Sequence, residues 1–186
     1  MSGLTFRYGS MGAAKTAHLL TVAFNFEEGG HKVERFTAAL DNRFAVGQIT
    51  SRIGLSAPAK VFDSSTDFTV ELEKVGKVEC VVIDECNWLT KDQVVSLHQF
   101  AHRTETTVLA YGLRADFQGV PFTGAAWLLA LADSIEEIQS VCVCGGKASM
   151  NARFSETGIR ERSGDTLLIG GNSRYRAMCP KCFYEV

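Results

Sequence analysis

The sequence predicts an α/β fold in which a parallel sheet carries helices on both faces, followed by a small cysteine-bearing unit near the C-terminus. Three observations support this prediction. Short apolar runs that are typical of buried strands alternate with longer segments of helical character. A glycine-containing turn joins the first strand-like segment directly to a helix. Four of the six cysteines form two close pairs in the last third of the chain.

The composition of the 186 residues is ordinary for a globular protein, with 46% hydrophobic and 22% charged side chains. The formal net charge of −2 excludes an overall basic field that would draw the chain to nucleic acid or anionic lipid. No apolar run approaches the length of a membrane span, and the N-terminus has no apolar signal region. We therefore expect a cytoplasmic protein with neither a membrane nor a nucleic-acid partner.

The first half of the chain predicts two strands around one helix. LTFRYGS is a strand that ends in a loop, and KTAHLLTVAFNFEEGG is a helix that stops at its two glycines. HKVERFTAA is the second strand. Residues 41–64 are rich in glycine, serine and charge and have weak periodicity, which predicts a long loop with short elements inside it. Loops of this length are usually functional.

The next segments predict the centre of the sheet. ECVVIDE is an apolar run that ends in acids, as expected of a buried parallel strand. Thr90 is a suitable cap for the helix TKDQVVSLHQFAHRTE, in which Val94, Leu97 and Ala101 share one face. TTVLAYGL is a further buried strand, and GAAWLLALAD is a short apolar helix. The character of the sequence then changes, which predicts a core domain over residues 1–134 and a smaller domain over residues 135–186.

The stretch YGSMGAAKTAHLL, residues 8–20, resembles the phosphate-binding loop G-x-x-x-x-G-K-[ST], with Ala14 in place of the last glycine. A strand–loop–helix of this kind directs backbone N–H groups and the helix dipole toward one point, where phosphate binds. Lys15 would contact the β- and γ-phosphates, and Thr16 would help to hold Mg²⁺. The alanine methyl group could crowd the phosphate or restrict the dihedrals. The alternative is a plain βα turn. The candidate loop residues are Gly9, Ser10, Met11, Gly12, Ala13, Ala14, Lys15 and Thr16.

Asp84 and Glu85 end the predicted strand VVIDE. P-loop enzymes place an acid at the end of a neighbouring buried strand, where it reaches the metal. Two solvated acids at a strand terminus are the alternative interpretation. Because both motifs occur in the expected order and on the expected elements, the sequence favours a P-loop (RecA-like) core that binds a nucleotide phosphate.

Six segments together resemble type II (cytosolic, zinc-containing) thymidine kinases, and in particular their bacterial branch. DECNWL is similar to the family's D-E-x-Q-F segment, and YGLRADFQGVPF to G-L-x-x-D-F-x-x-x-P-F. LLIGGNSRY is similar to I-G-G-x-x-x-Y, and CVCGGKASMNAR to the stretch around the first cysteine pair. LDNRF and SRIGLSAPAK resemble the bacterial D-x-R and S-R-I-G-L-S segments. The ordered set is specific and extends over nearly the whole chain.

The resemblance implies transfer of the γ-phosphoryl group of ATP to the 5′-hydroxyl of thymidine. It gives Glu85 the role of general base and leaves Asp84 to orient the water shell of Mg²⁺. Adjacent strand residues point to opposite faces, so we expect different roles for the two acids. Arg43 would reach the phosphates with Asp41 as its companion, although without the resemblance a local ion pair would be preferred. Asn87 stands where the family usually has a longer amide, glutamine.

The resemblance also implies a thymine pocket and a lasso loop. The pocket positions match Met11, Trp88, Leu113, Phe117 and Phe122, for each of which core packing is the alternative. The lasso would bind the base with main-chain groups, since N–H and C=O groups match a pyrimidine edge. Tyr175 would close over the sugar. The lasso residues are Thr166, Leu167, Leu168, Ile169 and Gly170.

The paired cysteines predict a structural Zn²⁺ site. Their spacings are C-x-C and C-x-x-C, and four thiolates suit a tetrahedral ion without an open position. Two hairpin-like knuckles would present the pairs to each other and clamp segment 145–178, which includes the lasso. Free or partly oxidised thiols are the alternative. The predicted ligands are Cys142, Cys144, Cys179 and Cys182.

Two other functions compete with a thymidine kinase that uses ATP, Mg²⁺ and Zn²⁺. A RecA-like ATPase would use Glu85 to activate water and its zinc knuckle to contact nucleic acid. The near-neutral charge and the lack of a basic stripe around the cysteines count against it. The alternative stays open because that region has some positive charge, from Lys147, Arg153, Arg160, Arg162, Arg174 and Arg176. A degenerate kinase would bind nucleoside and transfer nothing, because Ala14 spoils the loop. The resemblance further implies a homotetramer.

Overall fold

A computed structural model describes residues 2–40, 46–166 and 174–185. In chain order its strands are β1 (Gly3–Tyr8), β2 (Val33–Ala38), β3 (Gln48–Thr50), β4 (Ser56–Pro58), β5 (Lys60–Phe62), β6 (Cys80–Ile83), β7 (Thr107–Gly112), β8 (Ser134–Glu137), β9 (Ser140–Val141), β10 (Lys147–Ala148), β11 (Met150–Phe154), β12 (Arg160–Glu161) and β13 (Tyr175–Met178). Its helices are α1 (Lys15–Glu28), α2 (Phe68–Val75), α3 (Lys91–Thr104), α4 (Thr123–Leu131) and α5 (Pro180–Glu185), with a 3₁₀ turn at Cys86–Trp88.

A six-stranded sheet forms the centre of the molecule, in the order β5-β2-β6-β7-β1-β8. Every neighbouring pair in it is parallel, which confirms the predicted parallel sheet. The register of β1 on β7 runs from Gly3 opposite Thr107 to Tyr8 opposite Gly112. The carboxyl ends of β1, β6 and β7 therefore meet at one edge, and the segments that follow them are brought together there.

Helices cover both faces of this sheet, as predicted. On one face, Leu19 and Ala23 of α1 pack against strand residues that include Val82 and Leu109. On the other face, side chains of α2, α3 and α4 form a larger cluster with Phe6 and the remaining inward residues of the strands. Alternate residues of β6 belong to opposite clusters, as the period of two in a strand requires. Burial on both faces explains why its sequence is a continuous apolar run.

The start of α3 is fixed by a capping box. The Thr90 hydroxyl accepts from the N–H of Gln93, and the Gln93 side chain accepts from the N–H of Thr90. The same amide donates to the carbonyl oxygens of Asp63 (2.7 Å) and Thr66 (3.0 Å). The predicted cap is thus confirmed, and it also ties the helix to the preceding loop.

The region around residues 46–75 contains more structure than the sequence predicts. Strands β3 and β4 form a short antiparallel hairpin, and β5 joins the edge of the central sheet beside β2. Helix α2 was not predicted at all. Its N-terminus is capped by the Asp67 carboxylate, which accepts from the N–H of Val70, and its residues Phe68 and Leu72 are buried.

The C-terminal part adds a small antiparallel unit to the sheet. Strands β12, β11 and β13 form one three-stranded sheet, and β9 pairs with β10 in a hairpin. Its own apolar cluster includes Ala152, Phe154, Met178 and Phe183. Strand β8 belongs to the central sheet, so that sheet continues past the predicted boundary at residue 134, and the division into two domains stays a prediction. Among the described residues, no helix is long and apolar enough to cross a membrane.

Candidate active site

The turn between β1 and α1 begins at a glycine that has no room for a side chain. A Cβ atom on Gly9 would lie 2.5 Å from the carbonyl oxygen of Ile138 and 3.0 Å from the Cβ of Ala13. The N–H of Gly9 donates to the carbonyl oxygen of Gly112 at 3.3 Å. The base of the loop is therefore fixed to the ends of the neighbouring strands.

Ala14 takes a left-handed backbone conformation, which glycine adopts more readily than alanine. Its dihedral angles are φ 56° and ψ 27°, in the left-handed region, and it immediately precedes α1. A residue with a Cβ atom pays about 1–2 kcal/mol for this conformation. The loop thus keeps its turn at Ala14, and the substitution places strain in the backbone there. Ala14 has no side-chain acceptor, and the first turn of α1 contains no acidic residue. The N–H groups at the start of α1 are therefore suited to an anion.

Lys15 and Thr16, the first two residues of α1, point in different directions. The Lys15 ammonium donates to the carbonyl oxygens of Gly9 (3.1 Å) and Ser10 (3.0 Å), so it lies across the loop. The Thr16 hydroxyl donates to Oδ2 of Asp84 at 3.0 Å. This bond joins the phosphate-loop candidate to the acid pair, as the two motifs together predict.

Asp84 is buried, with 3% of its surface exposed. Its Oδ1 atom accepts from the N–H of Glu85 at 3.1 Å. Burial, followed by the nearby charge of Glu85, raises the pKa of Asp84 to about 7. Burial therefore disfavours the charged form of Asp84, and a bound cation would favour it.

Glu85 lies in a different environment from Asp84, but not for the predicted reason. Strand β6 ends at Ile83, so strand alternation does not separate the two acids. Glu85 instead takes a left-handed conformation with φ 54° and is only half-buried. A non-glycine residue in this region is uncommon and often marks a functional site.

Asn87 anchors the segment after β7. Its Oδ1 atom accepts from the N–H of Leu113 at 3.1 Å, and a Cβ atom on Gly112 would come within 2.6 Å of the same oxygen. Its Nδ2 atom is buried and has no hydrogen-bond partner among the described residues. The 3₁₀ turn that carries Asn87 packs closely on α4, because a Cβ atom on Gly124 would meet the carbonyl oxygen of Cys86 at 2.4 Å.

The predicted pocket residues fall into two groups. Trp88 and Phe122 are half-buried and in edge-to-face contact, with ring centroids 5.2 Å apart. Phe117 is 1% exposed, and the Arg153 guanidinium lies over its ring at 3.6 Å from the centroid. Leu113 is half-buried beside Asn87. The structure thus brings Trp88 and Phe122 together and covers Phe117 with an arginine.

Several predicted residues lie outside the described part of the chain. They are Asp41, Arg43, Leu167, Leu168, Ile169 and Gly170. The flanking residues are described. The Thr166 hydroxyl donates to Oδ2 of Asp116 at 3.1 Å, and Oδ1 of Asp116 accepts from the N–H groups of Gln118 and Val120, both at 2.9 Å. Tyr175 lies in β13 opposite Arg153.

Arg153 is a buried residue whose structural role the sequence did not predict, since it counted there only as a positive charge. It is 5% exposed and forms an ion pair of 2.5 Å with Glu161, which also pairs with Arg174. Its guanidinium donates to the carbonyl oxygens of Asp165 and Ser163. It therefore holds the segment that leads to the predicted lasso.

Asn151 is a second residue that sequence reasoning missed. Its Oδ1 atom accepts from the N–H of Met11 at 2.7 Å, and its Nδ2 atom donates to the carbonyl oxygen of Ala115 at 3.1 Å. One buried amide on β11 thus connects the phosphate loop to the segment after β7. The only signal was its presence in the quoted segment CVCGGKASMNAR, and a single asparagine in a strand has no spacing that indicates such contacts.

The four predicted zinc ligands come together. Their sulfur atoms all lie within 4.8 Å of one another, and Sγ of Cys144 is 3.6 Å from Sγ of Cys179. A tetrahedron with Zn–S bonds of about 2.3 Å has edges of about 3.8 Å, so the cluster fits this ion. None of the four is in a disulfide. The first pair lies on the β9–β10 hairpin, as predicted, but the second pair lies at the junction of β13 and α5 rather than on a hairpin.

The cluster also favours a thiolate. Backbone N–H groups of Cys144 and Cys179 lower the pKa of Cys142 to about 6. Hydrogen bonds with the Cys144 and Cys179 side chains raise the pKa of Cys182 to about 12. Four thiols that share negative charge unequally are suited to neutralisation by a dication.

Comparisons with known proteins show the family to which this chain is similar. The family model described as thymidine kinase matches residues 2–183. A thymidine kinase of Albidiferax ferrireducens is 49% identical over 185 residues, which cover 99% of this chain and 93% of that protein. A thymidine kinase of Chromobacterium violaceum is 44% identical over 185 residues and 100% of both chains. One of Escherichia coli strain K12 is 39% identical over 188 residues, which cover 100% of this chain and 92% of that protein.

Proposed function

The chain belongs to the thymidine kinase family, and from this premise we propose that it transfers the γ-phosphoryl group of ATP to the 5′-hydroxyl of thymidine with Glu85 as the general base. The observation that carries the assignment of residues is the hydrogen bond between Thr16 and Asp84, 3.0 Å long. It joins the loop that would hold the triphosphate to the acid pair that would face the acceptor. The product of this reaction, dTMP, enters nucleotide salvage.

ATP would bind at the start of α1. Within the turn Gly9–Thr16, the N–H groups other than those that donate to Gly112, Asn151 and Ser10 would contact the phosphates, together with the ammonium of Lys15. A helix N-terminus favours an anion at this position. Arg43, with Asp41 as its companion, is proposed to contact the phosphates as well. In this arrangement the chain positions the reactants and stabilises charge, which is most of what phosphoryl transfer requires.

Mg²⁺ would be held by the Thr16 hydroxyl and, through its water shell, by Asp84. When bound, the ion neutralises charge on the phosphate oxygens. The buried carboxylate of Asp84 suits a cation because the ion would offset the cost of burying a negative charge. Asn87 is proposed to contribute its Nδ2 donor to the phosphate side of the site, since that atom is buried and without a partner among the described residues.

Glu85 would accept the proton of the 5′-hydroxyl. It follows Asp84 directly, and its backbone takes a left-handed conformation. Because Glu85 is half-buried, a substrate hydroxyl has access to it. General bases must lie within hydrogen-bond reach of the proton that they remove.

The nucleoside would lie against the aromatic pair of Trp88 and Phe122, with Leu113 and Met11 beside it. Phe117 is proposed to pack beneath the Arg153 guanidinium rather than to contact the base directly, because it is 1% exposed. The base would be held by main-chain groups of residues 166–170, and Tyr175 would close over the sugar. Contacts of Asp116 and Arg153 with Thr166, Asp165 and Ser163 fix the start of this segment.

The ion at Cys142, Cys144, Cys179 and Cys182 is proposed to be structural Zn²⁺. Four thiol ligands complete a tetrahedron, so they leave no position for substrate. The segment 145–178 between the two pairs includes the proposed lasso. Zinc would therefore hold the substrate loop at both ends and take no part in the phosphoryl transfer.

We further propose a cytoplasmic homotetramer with a nucleotide-binding domain and a smaller zinc-binding domain. Light scattering of the purified protein would test the assembly, with a mass of four chains as the expected result. A monomer at micromolar concentration would contradict it.

The decisive experiment compares Glu85→Gln with Glu105→Gln. Both glutamates have φ 54°, but Glu105 ends α3 at an exposed position. We expect Glu85→Gln to lower thymidine turnover by ~10²–10⁴-fold, the usual range for loss of a general base. Thymidine affinity, measured by calorimetry, should change little, and Glu105→Gln should keep full turnover.

Two outcomes would contradict the proposal in different ways. Full turnover in Glu85→Gln would remove Glu85 from the role of general base while leaving the reaction in place. Failure of the unaltered protein to phosphorylate thymidine, with ATP hydrolysis stimulated by DNA instead, would support the RecA-like alternative. A panel of nucleosides and the zinc content of the same sample would complete the assay.

A further inference from the structure

A second group of metal-ligating side chains lies on the opposite side of the fold from the proposed active site. His98 and His102 are one helical turn apart on α3, and Asp133 follows α4. Their ligand atoms all lie within 4.8 Å of one another. We propose that these three residues form a binding site for a divalent transition-metal ion of the Zn²⁺, Ni²⁺ or Co²⁺ class.

The geometry of the three side chains already resembles half of a coordination shell. Nε2 of His102 is 3.1 Å from both carboxylate oxygens of Asp133, and Nε2 of His98 is 3.7 Å from Oδ1. The two imidazole rings are edge-to-face with centroids 4.7 Å apart. Ligand atoms around an ion with bonds of about 2.0–2.1 Å are separated by about 3–3.5 Å. Small side-chain rotations would therefore bring all three groups onto one ion.

The carboxylate is held in place before any ion binds. Oδ2 of Asp133 accepts from the N–H of Leu4 at 2.7 Å, and the N–H of Asp133 donates to the carbonyl oxygen of Leu4 at 2.8 Å. A Cβ atom on Gly3 would come within 2.7 Å of Oδ2, so this approach depends on a glycine at the start of β1. Hydrogen bonds of this kind orient a metal ligand and raise the affinity of a site.

The surroundings suit a partly hydrated ion. The His98 side chain is 29% exposed and that of His102 is 51% exposed. The Asp133 side chain is 40% exposed, so all three ligand groups are open to water. The neighbouring Arg103 pairs with Glu73 at 3.2 Å, so its charge is offset.

The choice of ion follows from the donor set. Two imidazole nitrogens and one carboxylate oxygen suit Zn²⁺, Ni²⁺, Co²⁺ or Cu²⁺, whereas Mg²⁺ and Ca²⁺ prefer oxygen ligands alone.

The site is distant from the residues of the proposed reaction. Asp133 contacts the start of β1, and the strand spans roughly 17 Å before the phosphate loop begins. An ion here would join α3 to β1 and stabilise the fold without contacting substrate.

Titration of the zinc-loaded protein with Ni²⁺ tests the proposal. We expect about one Ni²⁺ per chain by calorimetry, a higher melting temperature because the ion binds the folded state, and no release of zinc. His98→Gln and His102→Gln should each weaken Ni²⁺ binding by at least ~10-fold, since each removes one ligand. His31→Gln is the matched control, because it removes an exposed histidine far along the chain and should bind Ni²⁺ as the unaltered protein does.

Folding of the variants is checked by circular dichroism and by thymidine phosphorylation, which should be unchanged. Asp133→Asn supplies an independent variant, because its side-chain oxygen can still accept from Leu4 while the negative charge is lost. Equal Ni²⁺ affinity in the unaltered protein and in both histidine variants would overturn the proposal. Ni²⁺ uptake that is matched by zinc release would overturn it as well.

Discussion

At the scale of single residues, Ala14 shows how a departure from a motif can preserve the geometry of the motif. Its φ of 56° is where glycine is favoured, and the cost to alanine is about 1–2 kcal/mol. The sequence could locate this position, because the turn requires a small residue. It could not show whether the chain would keep the turn or relax it, since that depends on contacts of Gly9 with the distant residues Gly112 and Ile138.

Ala14→Gly should raise the free energy of unfolding by about 0.5–1 kcal/mol, because relief of the left-handed strain exceeds the entropy that glycine adds to the unfolded chain. ATP affinity should rise or stay the same. Chemical denaturation and calorimetry measure the two quantities. Ala13→Gly serves as the control: Ala13 is buried and lacks a positive φ, so its substitution should lower stability. A large fall in ATP affinity in Ala14→Gly would mean that the altered loop has its own adapted geometry.

Asp84 predicts a pH dependence with a definite sign. Burial and the charge of Glu85 raise its pKa to about 7 in the folded protein, above the value of 3.8 for a solvent-exposed side chain such as that of the unfolded chain. The contribution of protonated Asp84 to the free energy of unfolding is fully present below pH 4 and is lost as pH rises through 7. The reason is that Asp84 ionises at a lower pH in the unfolded chain than in the folded protein. In Asp84→Asn this loss disappears.

Between pH 5 and pH 8 the free energy of unfolding of the unaltered protein should therefore fall relative to that of Asp84→Asn. The expected change in the difference is on the order of 1–3 kcal/mol. Urea denaturation at the two pH values, without ligands, measures it. Asp92→Asn, at an exposed position in the first turn of α3, is the control and should show no such trend. A difference that is constant with pH would mean that Asp84 is ionised throughout.

At the scale of elements, the sequence predicts best those helices and strands whose determining residues lie close together in the chain. Helix α3 could be predicted to its cap because Thr90, Gln93 and the apolar face are all written within one segment. Strand β5 could not be predicted, because three residues join the sheet only through pairing with the distant β2. Helix α2 has a local cap at Asp67, but its eight residues give a short pattern with little periodicity.

The site divides in the same way. Lys15, Thr16, Asp84 and Glu85 follow from patterns at the ends of predicted elements. The roles of Asn151 and Arg153 follow from contacts between elements far apart in the chain, which single-sequence patterns do not contain. The two residues have in common that they belong to β11 and that each contacts a segment outside the C-terminal unit.

Asn151→Ala should loosen the link between β11 and the phosphate loop. We expect the free energy of unfolding to fall by about 1–3 kcal/mol, because the buried N–H of Met11 and carbonyl of Ala115 lose their partner. KM for ATP and for thymidine should rise together, since the amide contacts both sides of the site. Steady-state kinetics and denaturation measure these effects. Asn25→Ala in α1 is the control, and equal kinetics in the two variants would remove Asn151 from a positioning role.

At the scale of the whole molecule, the parallel sheet places the proposed reaction at one edge, and the cysteine cluster closes the C-terminal unit beside it. Apolar cluster residues of this unit are few, and two of the four cysteines belong to its buried set. A small unit of this kind usually needs a metal or cross-link to fold. The central sheet has its own larger clusters.

Removal of zinc by a chelator should therefore abolish thymidine binding before the central sheet unfolds. Hydrogen exchange should show early loss of protection in β11–β13 and retained protection in β1, β6 and β7. Calorimetry with thymidine measures the loss of binding. Cys142→Ser should reproduce the effect, whereas Cys80→Ala, outside the cluster, should keep its zinc. Simultaneous loss of protection throughout the chain would mean that the two parts fold as one unit.

The glycines at positions 9 and 124 limit which mutations a gene for this protein can tolerate. At each of them a β-carbon would press against a carbonyl oxygen, at 2.5 Å and 2.4 Å respectively. Every amino-acid replacement adds at least that atom, so a missense change in either codon has no mild form. These two codons are places where a gene for this protein is expected to tolerate only silent changes, and at position 124 this holds although the residue is not part of the proposed site.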